Sequence, residues 1–195
     1  MIDVSDPTYP LRVGWYDTPG IASGVAVSGG FAYVTADAAG LQSIDVSDPT
    51  NPIRVGVWSN GASLQDVVLR GRYAFVAGGE SGLQVIDVSD ATNPRWAGGA
   101  DTSSFSMGVA IDGTTACVAD VWGGLVVFRL DFTGDLDGDG DVDLSDFTAF
   151  QLCFGGSNIP PAPTCPAGVD ADLDSDGDVD LADFLIFQQN FSGSL

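Results

Sequence analysis

The sequence predicts a mainly β protein that ends in a small helical region, and three observations support this fold class. Glycine is abundant, with 26 residues among 195, which suits the many tight turns of an all-β fold. A repeated sequence unit runs through the first two-thirds of the chain. The last third instead contains two acidic segments, each followed by apolar residues at helical spacing. We therefore divide the chain into residues 1–130 and 131–195.

The repeat is clearest in the motif IDVSD, which begins at Ile2, Ile44 and Ile86, each 42 residues after the last. A degenerate fourth copy begins at Phe128. Within one unit, short apolar segments bounded by turn residues predict four strands, at residues 52–58, 65–69, 73–77 and 82–88. A period of about 40–45 residues with four strands is typical of a β-propeller blade. We predict a partial β-propeller of three four-stranded blades, at about residues 2–43, 44–85 and 86–130.

Three blades do not make a complete ring, because β-propellers have about four to eight blades. The open ends would leave sheet surfaces that natural proteins usually cover. One explanation, which we favour, is that the chain is part of a longer exported protein, since its N-terminus lacks the pattern of a signal peptide. The other is a homodimer in which two half-rings complete a six-bladed propeller.

The charge of the chain excludes several classes of function. There are 27 acidic and 6 basic residues and no histidine, for a net charge of −21, and none of the basic residues is lysine. The strong negative charge disfavours nucleic acid and anionic membranes as partners. The missing histidine and lysine exclude a Ser-His-Asp triad, a His-ligated zinc site and a Schiff-base lysine. No segment has the apolar length of a membrane span, and we expect a protein that is not an enzyme.

The acidic segments at residues 135–146 and 172–183 both have the spacing of an EF-hand calcium loop. Gly140 and Gly177 stand at loop position 6, and Asp141 and Asp178, at position 7, are expected to offer only a backbone carbonyl. The predicted metal-binding residues are Asp135, Asp137, Asp139, Asp141, Asp143, Asp146, Asp172, Asp174, Asp176, Asp178, Asp180 and Asp183. Calcium prefers about six to eight oxygen ligands, and without it these carboxylates would repel one another. We expect two Ca²⁺ ions and calcium-dependent folding of this region.

An apolar helix is predicted after each loop, over residues 144–154 and 181–191. Three phenylalanines lie at i, i+3 and i+7 in each helix, so each helix has one aromatic face. These residues are Phe147, Phe150 and Phe154 in the first helix, and Phe184, Phe187 and Phe191 in the second. We expect the two aromatic faces to pack on each other. No helix precedes either loop, so the region is not a complete EF-hand pair.

Two known families share these patterns. The segments GLQSIDVSDPTNPIRVG and GLQVIDVSDATNPRWAG, residues 40–56 and 82–98, resemble LVIVD-type β-propeller repeats. That resemblance implies a secreted or surface-associated scaffold and brings no catalytic residues. The paired loop–helix units, about residues 132–192, resemble a type I-like dockerin of the Gly-Cys type. That resemblance implies a cohesin-like or other surface anchoring protein as partner, with loop positions 10 and 11, at residues 144–145 and 181–182, as contact positions.

The three cysteines have different predicted roles. Cys153 and Cys165 bracket a linker rich in Gly and Pro, and we expect them to form a disulfide, with two free thiols as the alternative. Cys117 occupies the repeat position of Tyr33 and Phe75, so we expect a buried apolar side chain there.

Together these patterns predict a non-catalytic, extracellular or cell-surface protein in which a β-propeller scaffold carries a calcium-dependent, dockerin-like anchoring module. Two alternatives stay open. In the first, the chain is a fragment of a polysaccharide-degrading dockerin protein whose catalytic part is missing. In the second, it is a glycan-binding propeller.

Overall fold

The computed structural model describes residues 2–3, 11–130, 133–138 and 142–191, with residues 2–3 described by their backbone. The chain forms two compact units, Met1–Arg129 and Leu130–Leu195. The first unit is built from β-strands and the second contains two α-helices. The predicted mainly β fold is therefore confirmed.

Three antiparallel sheets make up most of the first unit. The first contains β3 (Gly24–Ser28), β4 (Phe31–Thr35), β5 (Leu41–Asp45) and β6 (Ile53–Trp58). The second contains β7 (Asp66–Arg70), β8 (Tyr73–Ala77), β9 (Leu83–Asp87) and β10 (Arg95–Ala100). The third contains β11 (Ser106–Asp112), β12 (Thr115–Asp120) and β13 (Gly124–Arg129). A further two-stranded pair joins β1 (Ile2–Asp3) to β2 (Leu11–Arg12). These sheets fit a partial propeller-like β fold.

The predicted blade boundaries do not coincide with the sheets. We placed the segment 52–58 in the same blade as the strands within residues 65–88. In the structure this segment is β6, which pairs with β5 in the first sheet. The second sheet is instead completed by β10, which pairs with β9. The connection from β5 to β6 is a compact turn, because Asp48 accepts hydrogen bonds from the backbone N–H and the hydroxyl of Thr50, at 2.9 and 2.7 Å. The chain therefore reverses within one sheet at this point. The third sheet also has three strands among the described residues, not the four predicted.

The core of the first unit lies between successive sheets. Strand β7 of the second sheet contacts β3 of the first and β11 of the third. Side chains from the first and second sheets form one buried cluster that includes Tyr33, Leu41, Val67, Val76 and Ile86. Each sheet thus buries a face against its neighbour, as in stacked propeller blades.

Helices α1 (Leu144–Cys153) and α2 (Leu181–Asn190) of the second unit pack through their aromatic faces. The ring centroids of Phe150 and Phe187 lie 5.5 Å apart, and those of Phe147 and Phe184 lie 5.9 Å apart. The expected packing of the two aromatic faces is confirmed. Val142 and Val179, at position 8 of each loop, are buried in the same cluster. No helix in the described part of the chain is long and apolar enough to cross a membrane.

Candidate calcium-binding loops

In the first loop, three of the predicted ligands lie close together. Asp135, Asp137 and Asp146 each place a carboxylate oxygen within 4.8 Å of the other two. Asp139 and Asp141 lie outside the described residues. Asp143 is separate from this group, because its side chain accepts a hydrogen bond of 2.7 Å from the N–H of Ser145 at the start of α1. Loop positions 1, 3 and 12 therefore form the observed part of this candidate site.

The second loop is described in full and brings its six aspartates into two groups. Asp172, Asp174 and Asp176 form one group, with carboxylate oxygens within 4.8 Å of one another. Asp178, Asp180 and Asp183 form the other. The six predicted ligands are thus neighbours in this structure, but their oxygens do not meet at one point.

The aspartate at position 12 has the same buried arrangement in both loops. Asp146 and Asp183 are both 0% exposed. In the first loop, one oxygen of Asp146 accepts from the N–H groups of Leu136 and Asp137, at 2.6 and 3.0 Å, and the other accepts from Asp143 N–H at 2.8 Å. A buried carboxylate needs this kind of full hydrogen bonding.

Asp183 reproduces this pattern in the second loop. One of its oxygens accepts from the N–H groups of Leu173 and Asp174, at 2.6 and 3.1 Å, and the other accepts from Asp180 N–H at 2.7 Å. In both loops the position-12 carboxylate thus connects the start of the loop to the first turn of the helix.

Position 9 caps the helix in both units. Asp180 accepts a 2.7 Å hydrogen bond from Ala182 N–H, as Asp143 does from Ser145. Together with the position-12 carboxylate, each forms a reciprocal capping box. An aspartate at a helix N-cap accepts hydrogen bonds from N–H groups that have no partner within the helix. Its negative charge also interacts favourably with the positive end of the helix dipole. Predicted metal ligands at positions 9 and 12 therefore also determine where the helices begin.

The side chain of Asp178 was not expected to take part, because position 7 was assigned only a backbone carbonyl. Asp178 is 5% exposed and accepts a hydrogen bond from the backbone N–H of Asn158. Its other oxygen, Oδ1, is buried without a hydrogen-bond partner. Asn158 belongs to the Gly/Pro-rich linker between α1 and the second loop. No pattern within the loop itself therefore indicates this role of Asp178.

The linker is held against the second loop. Cys153 and Cys165 form a disulfide. Within the closed segment, the N–H groups of Gly155 and Gly156 both donate to the carbonyl oxygen of Val179 at 3.0 Å. The second loop therefore has contacts with the linker through residues 178 and 179.

The donor set suits a hard divalent cation. All of its side chains are carboxylates, and oxygen donors are the ligands that calcium prefers. Desolvation and the charges of Asp176 and Asp183 raise the pKa of Asp174. Residues 131–195 contain no basic side chain that could compensate these charges. The unpartnered Oδ1 of Asp178 adds a buried oxygen to the same region. A bound divalent cation would relieve both features.

Comparison with known proteins concerns the first unit. The LVIVD repeat model matches residues 1–18, 19–59, 61–102 and 105–128. The chain belongs to the LVIVD repeat family. The three longer LVIVD segments coincide with the three sheets, while residues 1–18 contain β1 and β2. All of these matches lie before the two acidic loops, so the resemblance of residues 132–192 to dockerins depends on their sequence pattern alone.

One solved structure similar to this LVIVD repeat protein is that of the computationally designed Ika4 protein. The two are 5% identical, with a TM-score of 0.47 over 56% of this chain and 66% of that chain. The chain thus spans slightly less than two-thirds of the designed protein. A search of curated proteins found no match.

Proposed function

We propose that residues 130–195 form a calcium-dependent, dockerin-like anchoring module that attaches a non-catalytic LVIVD scaffold to a protein at the cell surface or outside the cell. One observation carries this proposal. Two loop–helix units repeat the same arrangement, in which a buried position-12 carboxylate (Asp146 or Asp183) holds an oxygen-rich loop against the start of a helix.

Calcium would act here as a structural ion. The first loop would hold its ion through Asp135, Asp137 and Asp146. The second loop would use Asp172, Asp174 and Asp183, and neighbouring loop oxygens would complete both sites. Neutralising the carboxylates removes their mutual repulsion and fixes the loop backbone. Because Asp146 and Asp183 also belong to the capping boxes of α1 and α2, an ordered loop would orient the helix that follows it.

A surface suited to a protein partner lies at the start of both helices. Leu144 and Leu181 hold the same place in the two units, loop position 10, and both side chains are exposed. Position 10 is a contact position in the dockerin resemblance. Equivalent exposed leucines at both helix starts would offer apolar contacts to a protein partner. Their position next to the loops would make that recognition calcium-dependent.

The first experiment titrates the full chain with calcium by isothermal titration calorimetry, with magnesium as the comparison ion. We expect two calcium sites, and loss of one in each of the variants Asp135→Asn and Asp172→Asn. Magnesium should bind more weakly, because it requires a more rigid octahedral site. Absence of calcium binding in the unsubstituted chain would refute the metal-dependent part of the proposal.

The second experiment tests anchoring itself. The full chain, immobilised with calcium or with chelator, is exposed to the envelope and secreted proteins of the source organism. We expect a partner that is retained with calcium, released by chelator and lost in the Leu144→Asp/Leu181→Asp double variant. The exposed Leu152→Asp variant is the matched control. If calcium binds but no partner depends on the two leucines, the region is a calcium-stabilised structural domain without an anchoring role.

A further inference from the structure

The side chain of Asp178 is buried in a way that the EF-hand pattern does not explain. Position 7 of such a loop contributes a backbone carbonyl, yet the Asp178 side chain is almost fully enclosed, with 5% of the residue exposed. Its Oδ2 accepts a hydrogen bond from Asn158 N–H, whereas its Oδ1 is buried without a hydrogen-bond partner among the described residues. A buried carboxylate oxygen without a donor is unfavourable, and in native proteins such an atom commonly contacts a bound water or ion.

The linker between α1 and the second loop determines how this carboxylate is held. Two glycine N–H groups of the linker donate to the carbonyl oxygen of Val179 at 3.0 Å, and Asn158 N–H donates to Asp178 beside it. Asn158 has a φ of 60°, in the left-handed region that asparagine adopts more readily than most residues. The disulfide closes this segment of the chain. The linker therefore fixes Oδ2 of Asp178 and leaves Oδ1 without a donor.

Asp178 lies beside two further carboxylates at a spacing that suits one cation. Asp178, Asp180 and Asp183 each place a carboxylate oxygen within 4.8 Å of the other two. Two oxygens bound to one calcium ion are at most about 5 Å apart, which is twice the Ca–O distance. Residues 131–195 contain no basic side chain that could neutralise this group. The three carboxylates can therefore share one divalent cation.

The residue at position 12 leaves the second loop in need of another ligand. An EF-hand uses a glutamate there, which binds calcium with both oxygens. Asp183 is shorter, and its carboxylate already accepts backbone hydrogen bonds, two at one oxygen from Leu173 and Asp174 and one at the other from Asp180. A carboxylate has about four lone-pair sites, so Asp183 retains about one for a metal. It therefore cannot bind calcium with both oxygens while these hydrogen bonds persist.

We propose that the side chain of Asp178 is a calcium ligand of the second loop through Oδ1, and that the linker is a positioning segment that holds its other oxygen. This inference rests on the proposed calcium-binding function and extends it, because position 7 then contributes its side chain and not only a backbone carbonyl. Asp178 supplies the interaction that Asp183 lacks. The bound cation in turn compensates a buried oxygen that has no donor.

A purely structural role accounts for only one of the two oxygens of Asp178. If the side chain served only to accept the hydrogen bond from Asn158 N–H, a neutral side chain would do so with a smaller desolvation penalty. A buried carboxylate beside Asp180 and Asp183 instead adds electrostatic repulsion to a group that is already negative. A cation bound by all three carboxylates offsets both the desolvation and the repulsion.

The test begins with calcium affinity at the second site of the full chain, which an Asp135→Asn background isolates. We expect Asp178→Ala in this background to weaken calcium binding about tenfold or more, since loss of even an outer-shell partner of a metal ligand weakens binding about 10–100-fold. Isothermal titration calorimetry measures the change. Asp170→Ala removes an exposed carboxylate outside the loop, so it is the matched control and should leave the affinity nearly unchanged.

Terbium luminescence then distinguishes a metal ligand from a nearby charge. Tb³⁺ replaces Ca²⁺ in oxygen-ligand sites, and its decay rates in H₂O and D₂O report how many water molecules it binds. If Oδ1 is a ligand, water takes its place in Asp178→Ala, and the number of bound waters rises by about one. Asp178→Ser, whose hydroxyl can accept a hydrogen bond from the linker, is a second variant in case the alanine variant is unfolded. Circular dichroism in calcium verifies the fold of each.

A lower affinity together with about one additional bound water supports the inference. It is overturned by an unchanged affinity in the folded Asp178 variants, or by a lower affinity with an unchanged water number, since the carboxylate would then act only through its hydrogen bond or its charge. Either of these results leaves the two calcium sites of the proposed function in place. Absence of calcium binding by the unsubstituted chain would instead refute the metal-dependent proposal on which this inference rests.

Discussion

At the scale of single residues, Asp183 has two structural roles. Its buried carboxylate accepts hydrogen bonds from three backbone N–H groups, and one of these, from the N-cap residue Asp180, completes the capping box of α2. We predict that Asp183→Asn lowers the free energy of unfolding of the second unit by about 2 kcal/mol or more, since hydrogen bonds to a charged group are lost and an amide N–H₂ faces backbone donors. Urea denaturation in the presence of calcium measures this change. Asp170→Asn, which removes an exposed carboxylate outside the loops, is the control. Equal stability of the two variants would show that the buried carboxylate contributes little.

Ionisation of Asp87 makes the stability of the first unit depend on pH. Partial burial favours a higher pKa, but hydrogen bonds from Arg72 and Ser89 outweigh it and lower the pKa of Asp87. Because the folded-state pKa is lowered, the stabilisation is present above the unfolded value of about 3.9 and is lost as the pH falls through the folded value. We predict that Asp87→Asn is less stable than the unsubstituted chain near neutral pH and that this difference shrinks below about pH 4. Thermal unfolding of both proteins between acid and neutral pH gives the comparison, and a difference independent of pH would contradict it.

Some residue roles follow from sequence and others do not. Asp45 and Asp87 recur in the IDVSD motif, and their side chains accept hydrogen bonds of 2.9 Å from the backbone N–H groups of Ser47 and Ser89. That role depends on neighbours two residues away, so a local motif reveals it. The side chain of Asp178 was missed because its donor, Asn158, lies 20 residues earlier in the chain.

At the scale of elements, the disulfide segment couples the linker to the second loop. We predict that the Cys153→Ser/Cys165→Ser variant is destabilised by about 3 kcal/mol, because closing a short loop restricts the unfolded chain. The backbone N–H groups of Gly155, Gly156 and Asn158 donate to residues of the second loop, so calcium affinity should fall more at the second site than at the first.

Calcium titration of the double-serine variant, repeated in an Asp135→Asn background that isolates the second site, measures this asymmetry. The same titration in an Asp172→Asn background reports the first site. Equal losses at both sites would mean that the linker contacts do not influence the loop.

Strand positions were more predictable than strand partners. The segment predicted at residues 73–77 is β8 itself, and the segment at 65–69 differs from β7 by one residue at each end. Local apolar patterns determine such positions. Partners depend on how the chain reverses, and the turn between β5 and β6 was interpreted as a connection between blades. In the structure β6 pairs with β5 across this turn, within which Asp48 accepts a hydrogen bond from Thr50 N–H.

At the scale of the whole molecule, charge and repeat pattern both change near residue 130. Residues 131–195 contain 14 aspartates and no basic residue, whereas all 6 arginines lie in residues 1–130. The structure accordingly has one core between β-sheets and another between two helices. What the sequence leaves open is the assembly, because an exposed Val25 and a buried Val67 occupy the same place in the repeat. Burial at such positions depends on which sheet lies next to them.

Separate cores lead to a prediction about calcium and unfolding. We expect scanning calorimetry of the full chain to show two transitions, of which calcium raises only that of the acidic unit. A ligand at about 100 times its Kd stabilises the state that binds it by about 2.7 kcal/mol per site. The arginine-containing unit has no comparable aspartate cluster among its described residues, so its transition should not move. Chelator should reverse the shift, and Asp135→Asn/Asp172→Asn should abolish it while leaving the other transition in place. A single transition that calcium raises would mean that the two units unfold together, and it would contradict this prediction.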